Sequence, residues 1–84
     1  MFNILPLRKD LEVKLRKYGL RGKFEKQMSF LTKNPKYPSL NLELLEPRNR
    51  GIYSIRIDRQ FRALLMFLSD RETIEIIAIT NHYR

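Results

Sequence analysis

The stretch YSIRIDRQFRALLMFL, residues 53–68, decides how this chain folds. Tyr53, Ile55 and Ile57 alternate with Ser54, Arg56 and Asp58, the period-two pattern of a strand with one buried face. Phe61 to Leu68 is apolar at most positions on both faces, which predicts a central strand. Whether Arg56 and Arg62 share a face depends on the connection between them. A loop with an odd residue count, or a bulged one, puts both on the same side; a two-residue loop separates them. The odd loop is the expectation here.

Downstream, Ser69 to Glu72 reads as a hairpin turn. The isoleucine-rich run Ile74 to Ile79 reads as the last strand, bringing Asn81, His82, Tyr83 and Arg84 to the end of the sheet. Upstream, Ser39 to Leu45 alternates, with Leu40, Leu42 and Leu44 on one face and Asn41 and Glu43 on the other. Pro47 to Gly51 then forms a turn. Leu7, Leu11, Leu15 and Tyr18 recur at helical spacing behind Pro6, a residue suited to a first helical turn, and Gly19 is a natural stop. A second helix is expected over Arg21 to Lys33 with Phe24, Met28 and Leu31 inward, ended by Asn34 because a residue before proline avoids helical angles. The expected architecture is α+β in one domain, residues 1–84. A helical hairpin over about residues 6–33 covers one face of an antiparallel sheet over about 39–83, with a short first strand at 2–5.

Composition narrows the function. The 84 residues carry 17 Lys and Arg against 9 Asp and Glu, a net charge of +8. Twelve of those basic residues and five of the acidic ones fall in residues 1–50, so the first half carries most of the excess. An excess this large on one small domain favours a polyanionic partner. The absence of cysteine excludes disulfides, thiolate metal sites and a cysteine nucleophile. One histidine cannot form a histidine metal cluster, and the carboxylates form no metal-binding loop. The longest apolar runs are too short to span a membrane, and the apolar start is too brief for a signal peptide, so the expected setting is intracellular.

The open face of such a sheet would collect Glu43, Arg56 and Arg62, with His82 arriving at the strand end. Metal-free cleavage of RNA needs a base for the 2′-hydroxyl, cations for the phosphate and an acid for the departing 5′-oxygen. Arginine suits the cationic role because its planar fork binds two phosphate oxygens and keeps its charge. Tyr83 offers a ring for base stacking. Each residue also has a structural reading: a terminal histidine exposed or capping, Arg62 paired with Asp58 or Glu75, a solvated Glu43, and Tyr83 packed under a helix. Composition and spacing alone stop at a small basic α+β domain that binds nucleic acid.

The ordered set of Tyr53 to Arg62, the apolar strand, Ile74 to Ile79 and the closing Asn81-His82-Tyr83 resembles the RelE/ParE superfamily of toxin–antitoxin toxins, on the side of its YoeB-like branch. That resemblance spans nearly the whole chain. It implies a ribosome-dependent mRNA endoribonuclease of the cytoplasm, needing no cofactor and leaving a 2′,3′-cyclic phosphate and a 5′-hydroxyl. By the same resemblance Glu43 is the general base, Arg56 and Arg62 hold the phosphate, His82 is the acid and Tyr83 the terminal tyrosine. Glu46 stands where the branch often has lysine, so its cationic role passes to Arg48 or Arg50; Glu46 is also the second choice for the base. Lys14, Arg16 and Lys17 would contact ribosomal RNA, where phosphate neutralisation dominates affinity. The implied partners are the ribosome, mRNA and an antitoxin whose acidic segment covers the active face. Two alternatives stay open: a ParE-type toxin that poisons DNA gyrase without cutting, and a non-catalytic basic module that binds nucleic acid.

Overall fold

The computed structural model describes residues 1–81. Its first strand, β1 (Asn3–Ile4), leads into α1 (Lys9–Lys17) and α2 (Arg21–Lys33), and then into β2 (Glu43–Leu44), β3 (Ile52–Arg56), β4 (Phe61–Phe67) and β5 (Thr73–Asn81). The strands form one five-stranded sheet in the order β1-β5-β4-β3-β2, which makes β4 central as its two-sided apolar pattern predicts. The sheet is mixed rather than wholly antiparallel, because β1 lies parallel to the start of β5. Two helices separate β1 from the hairpins, and such a connection lets the first strand run alongside the last in the same direction.

The helices cover one face of the sheet. Leu11 and Leu15 from α1 and Phe24 and Leu31 from α2 pack with Leu20, Leu40, Ile55, Ile57, Phe61, Ala63, Leu65, Ile74, Ile76 and Ile79, all at most 6% exposed. Helix α2 keeps its expected bounds, ending where Asn34 turns extended before Pro35. The corner between the helices is a Schellman motif: the amide N–H of Leu20 donates to Leu15 O (2.8 Å) and that of Gly19 to Arg16 O (3.2 Å). Gly19 takes the left-handed φ of 65° that this motif requires.

Three local expectations are corrected. Helix α1 starts at Lys9 rather than at Pro6, because the Leu5 amide N–H still donates to Ile74 O and holds the chain to the sheet. Tyr18 belongs to no buried stripe; it is 48% exposed, its ring tilted against Phe61. Residues 39–45 form no continuous strand. Pro38–Leu40 is a 3-10 turn and Asn41 is left-handed at φ 49°, so only Glu43 and Leu44 pair with β3.

A β-bulge lies between β4 and β5: Leu64 faces Ala78 while Leu65 faces Ile76, leaving Ile77 as the extra residue. The bulge explains the irregular isoleucine spacing. Ile74 and Ile76 on one side of it and Ile79 on the other all reach the helix-covered face.

Candidate active site

Arg56 and Arg62 stand directly opposite each other in the β3–β4 ladder, so both side chains emerge on the sheet face away from the helices. Glu43 pairs with Ser54 on the next strand over, on that same face, and Thr80 faces Arg62 from β5. Two like charges directly across a strand pair destabilise a sheet, and an anion bound between them would relieve the repulsion.

Arg62 is the unusual residue. It is a cation only 5% exposed, and the nearest carboxylate oxygen among the described residues, Glu43 Oε1, lies 3.9 Å from Nη2. What holds it is neutral. Its Nε donates to Ser54 Oγ at 3.0 Å and its Nη2 to the carbonyl of Asn41 at 2.8 Å. The left-handed turn at Asn41 is what aims that carbonyl at the guanidinium, so the broken strand serves the site. Nη1 has no hydrogen-bond partner among the described residues. Burial depresses the Arg62 pKa, Glu43 opposes that shift and Arg56 adds to it. The group nonetheless stays protonated, as arginine does in proteins. A buried charge without a close counter-ion is costly, and such costs cluster where function needs the group.

Glu43 is half exposed, whereas Arg56 is exposed and its carbonyl accepts from Gln27 Nε2 at 2.7 Å. Gln27 also donates to Ser39 O at 3.0 Å, joining α2, the 3-10 turn and the end of β3. Ahead of Arg62, the Asp58 carboxylate accepts from the amides of Gln60 and Phe61, both at 2.8 Å, which shapes the loop that sets the Arg56–Arg62 register. Asp58 pairs with Lys23 at 3.5 Å and not with Arg62.

The other candidates lie elsewhere. Glu46 makes an exposed contact of 3.4 Å with Arg48, so Glu43 rather than Glu46 is the carboxylate beside Arg62. Arg48 and Arg50 are exposed on the 3-10 turn at the far end of the β2–β3 hairpin from Arg56. Arg16 and Lys17 are exposed on the helical layer, across the sheet from Arg62. Lys14 is committed to the fold: its Nζ donates to Ile79 O at 2.7 Å, and Arg8 Nη1 donates to Ile77 O at 3.1 Å. Together they cover the edge of β5 beyond β1, where unpaired carbonyls would otherwise invite another strand. His82 and Tyr83 lie outside the described residues.

Sequence reading missed Ser54, Asn41 and Gln27. Ser54 carried a signal, since it shares the period-two face of Arg56. A backbone carbonyl such as that of Asn41 carries none.

No protein-family model and no curated protein matches the chain. Solved structures do. A YoeB/ParE toxin from Agrobacterium tumefaciens superposes with a TM-score of 0.73 over 98% of both chains at 17% identity. The YoeB-YefM complex from Staphylococcus aureus gives 0.71 over 99% of both chains at 18% identity. The chain has the fold of the YoeB/ParE toxins. A Staphylococcus aureus YoeB dimer also matches, at 0.65 and 19% identity, covering 98% of this chain and 95% of that one. The YoeB-like arrangement thus spans nearly all of the chain rather than a shared core alone.

Proposed function

We propose that this protein is the toxin of a toxin–antitoxin pair and cuts mRNA on the ribosome. The observation that carries the reading is buried Arg62, held by Ser54 and Asn41 and facing Arg56, with Glu43 alongside. Two guanidiniums beside a carboxylate suit a phosphodiester better than a divalent cation, which they would repel. The fold shared with YoeB toxins supports the same reading.

In the proposed reaction Glu43 takes the proton of the 2′-hydroxyl, whose oxygen attacks the neighbouring phosphorus. Arg62, through Nη1, and Arg56 neutralise the charge that grows on the non-bridging oxygens. The bond from phosphorus to the 5′-oxygen breaks, and His82 supplies that oxygen with a proton. The products are a 2′,3′-cyclic phosphate and a free 5′-hydroxyl. Tyr83 stacks on a base, while Arg48, Arg50 and the exposed helical cations Arg16 and Lys17 meet ribosomal RNA phosphates. An antitoxin with an acidic segment would silence the toxin by covering the arginine face.

Primer extension on translated mRNA after induction tests the reading. Wild type should give cuts positioned by the reading frame, reduced about a hundredfold or more in Glu43→Gln and His82→Ala. Intact mRNA with arrested replication would overturn it in favour of a gyrase poison. Equal cutting by the variants would overturn the assigned roles.

A further inference from the structure

We propose that the depression between α2 and the edge of β3 is a second nucleotide subsite, which stacks an unpaired base on Tyr37 and binds its phosphate through Lys26. This rests on the open face being an RNA-cleaving site. It adds where the strand lies once it leaves the arginines.

The depression holds about 390 Å³ and is lined by Lys23, Lys26, Gln27, Phe30, Tyr37 and Arg56 among others. That is room enough for a small planar ligand. Phe30 and Tyr37 stack almost parallel, with centroids 4.0 Å apart and ring planes 10° apart. Phe30 covers one face of the tyrosine, yet Tyr37 remains 39% exposed, so ring surface is left for a third flat group. Aromatic surface flanked by cations is the recurring means of holding single-stranded nucleic acid, because every base presents a π-face and every linkage a phosphate.

Position ties this site to the first. Arg56 lines the depression and also faces Arg62 across the ladder. Tyr37 immediately precedes the 3-10 turn that ends at Asn41, whose carbonyl holds Arg62. Buried Gln27 locks the floor between the two, donating to both Ser39 O and Arg56 O. A stacked base and the scissile phosphate would therefore be held by one rigid piece of structure. Of the two lysines, Lys23 is partly neutralised by Asp58 at 3.5 Å, whereas Lys26 has no carboxylate partner among the described residues.

The test uses a short single-stranded 2′-O-methyl oligonucleotide carrying 2-aminopurine. It lacks the nucleophilic hydroxyl, so binding is read without cleavage. Binding to the wild-type protein should quench the fluorescence. Tyr37→Phe should retain the quenching, and Tyr37→Ala should lose it and bind about tenfold more weakly, within the range found on removing one stacked base. Lys26→Ala, at an exposed position whose side chain makes no hydrogen bond or ion pair among the described residues, should reduce the slope of log affinity against log salt by about 0.7. Quenching unchanged in Tyr37→Ala, or absent from wild type, overturns the subsite. Should Tyr37→Ala fail to fold, an unchanged salt slope in Lys26→Ala overturns it instead. Weakened capture of a glutamate-rich peptide with undiminished RNA binding would assign the face to a protein partner and also overturn it. Quenching that persists when translated mRNA is left uncut would sink the nuclease reading and leave the subsite standing.

Discussion

The same strands present two faces built on opposite rules. Toward the helices, Ile55, Ala63, Leu65 and Ile79 are at most 2% exposed and wholly apolar. Away from them, Glu43, Ser54, Arg56, Arg62 and Thr80 gather, and among the described residues the most buried cation of the group has only neutral groups within hydrogen-bond distance. Period-two alternation lets both coexist, because each residue changes face with its neighbour. The covered face supplies stability, and the open face holds groups whose presence stability alone does not require.

That contrast can be broken from either side. The largest effect expected is on the covered face. Leu65→Ala removes a fully buried side chain from the central strand and should cost about 2–5 kcal/mol in urea unfolding. A domain this small has little margin, so the variant should be partly unfolded. Next comes Arg62→Met, which keeps the bulk and removes the charge. Cleavage should fall about a hundredfold to a thousandfold, as when a preorganised oxyanion donor is lost. Stability should move by less than about 1.5 kcal/mol, because the lost hydrogen bonds are offset by the removed cost of burying a cation. A collapse in stability equal to that of Leu65→Ala would erase the distinction between the faces.

The smallest effect concerns Asp58, which shapes the loop joining the arginine strands. Partial burial pushes its pKa up, but the amides of Gln60 and Phe61 and the Lys23 ammonium outweigh burial, and the net shift is downward. A depressed carboxyl stabilises the fold at neutral pH. Its contribution is lost as pH falls below the ordinary aspartate value of about 3.9 toward its own lower value. Chemical denaturation across that window should show a steeper acid loss for wild type than for Asp58→Asn. Identical acid limbs would show that the loop carboxylate does not contribute.

Much of this was legible in the sequence because periodicity reports burial. Helix α2 and the three strands after Gly51 follow from spacing and turn chemistry, whereas the shared face of Arg56 and Arg62 rests on the expectation of an odd loop between them. The Ser39–Leu45 segment misled for a physical reason. Its leucines alternate like a strand, but Pro38 opens a 3-10 turn and Asn41 turns left-handed, so Leu40 reaches the core from a turn. The bulge at Ile77 was hidden because it shows only when register is known. Lys14 read as a free cation, since nothing in a sequence indicates which carbonyls a sheet edge leaves unpaired. Gln27 sits at a helical position where only the fold reveals two acceptors waiting.

The most direct measurement is the chemistry of the cut ends on mRNA cleaved during translation in the presence of the wild-type protein. Attack by the 2′-hydroxyl predicts a 2′,3′-cyclic phosphate upstream and a 5′-hydroxyl downstream, with both ends reduced about a hundredfold or more when Arg62→Met replaces the wild type. A 3′-hydroxyl with a 5′-phosphate, or the same ends at the same yield from Arg62→Met, would contradict the account.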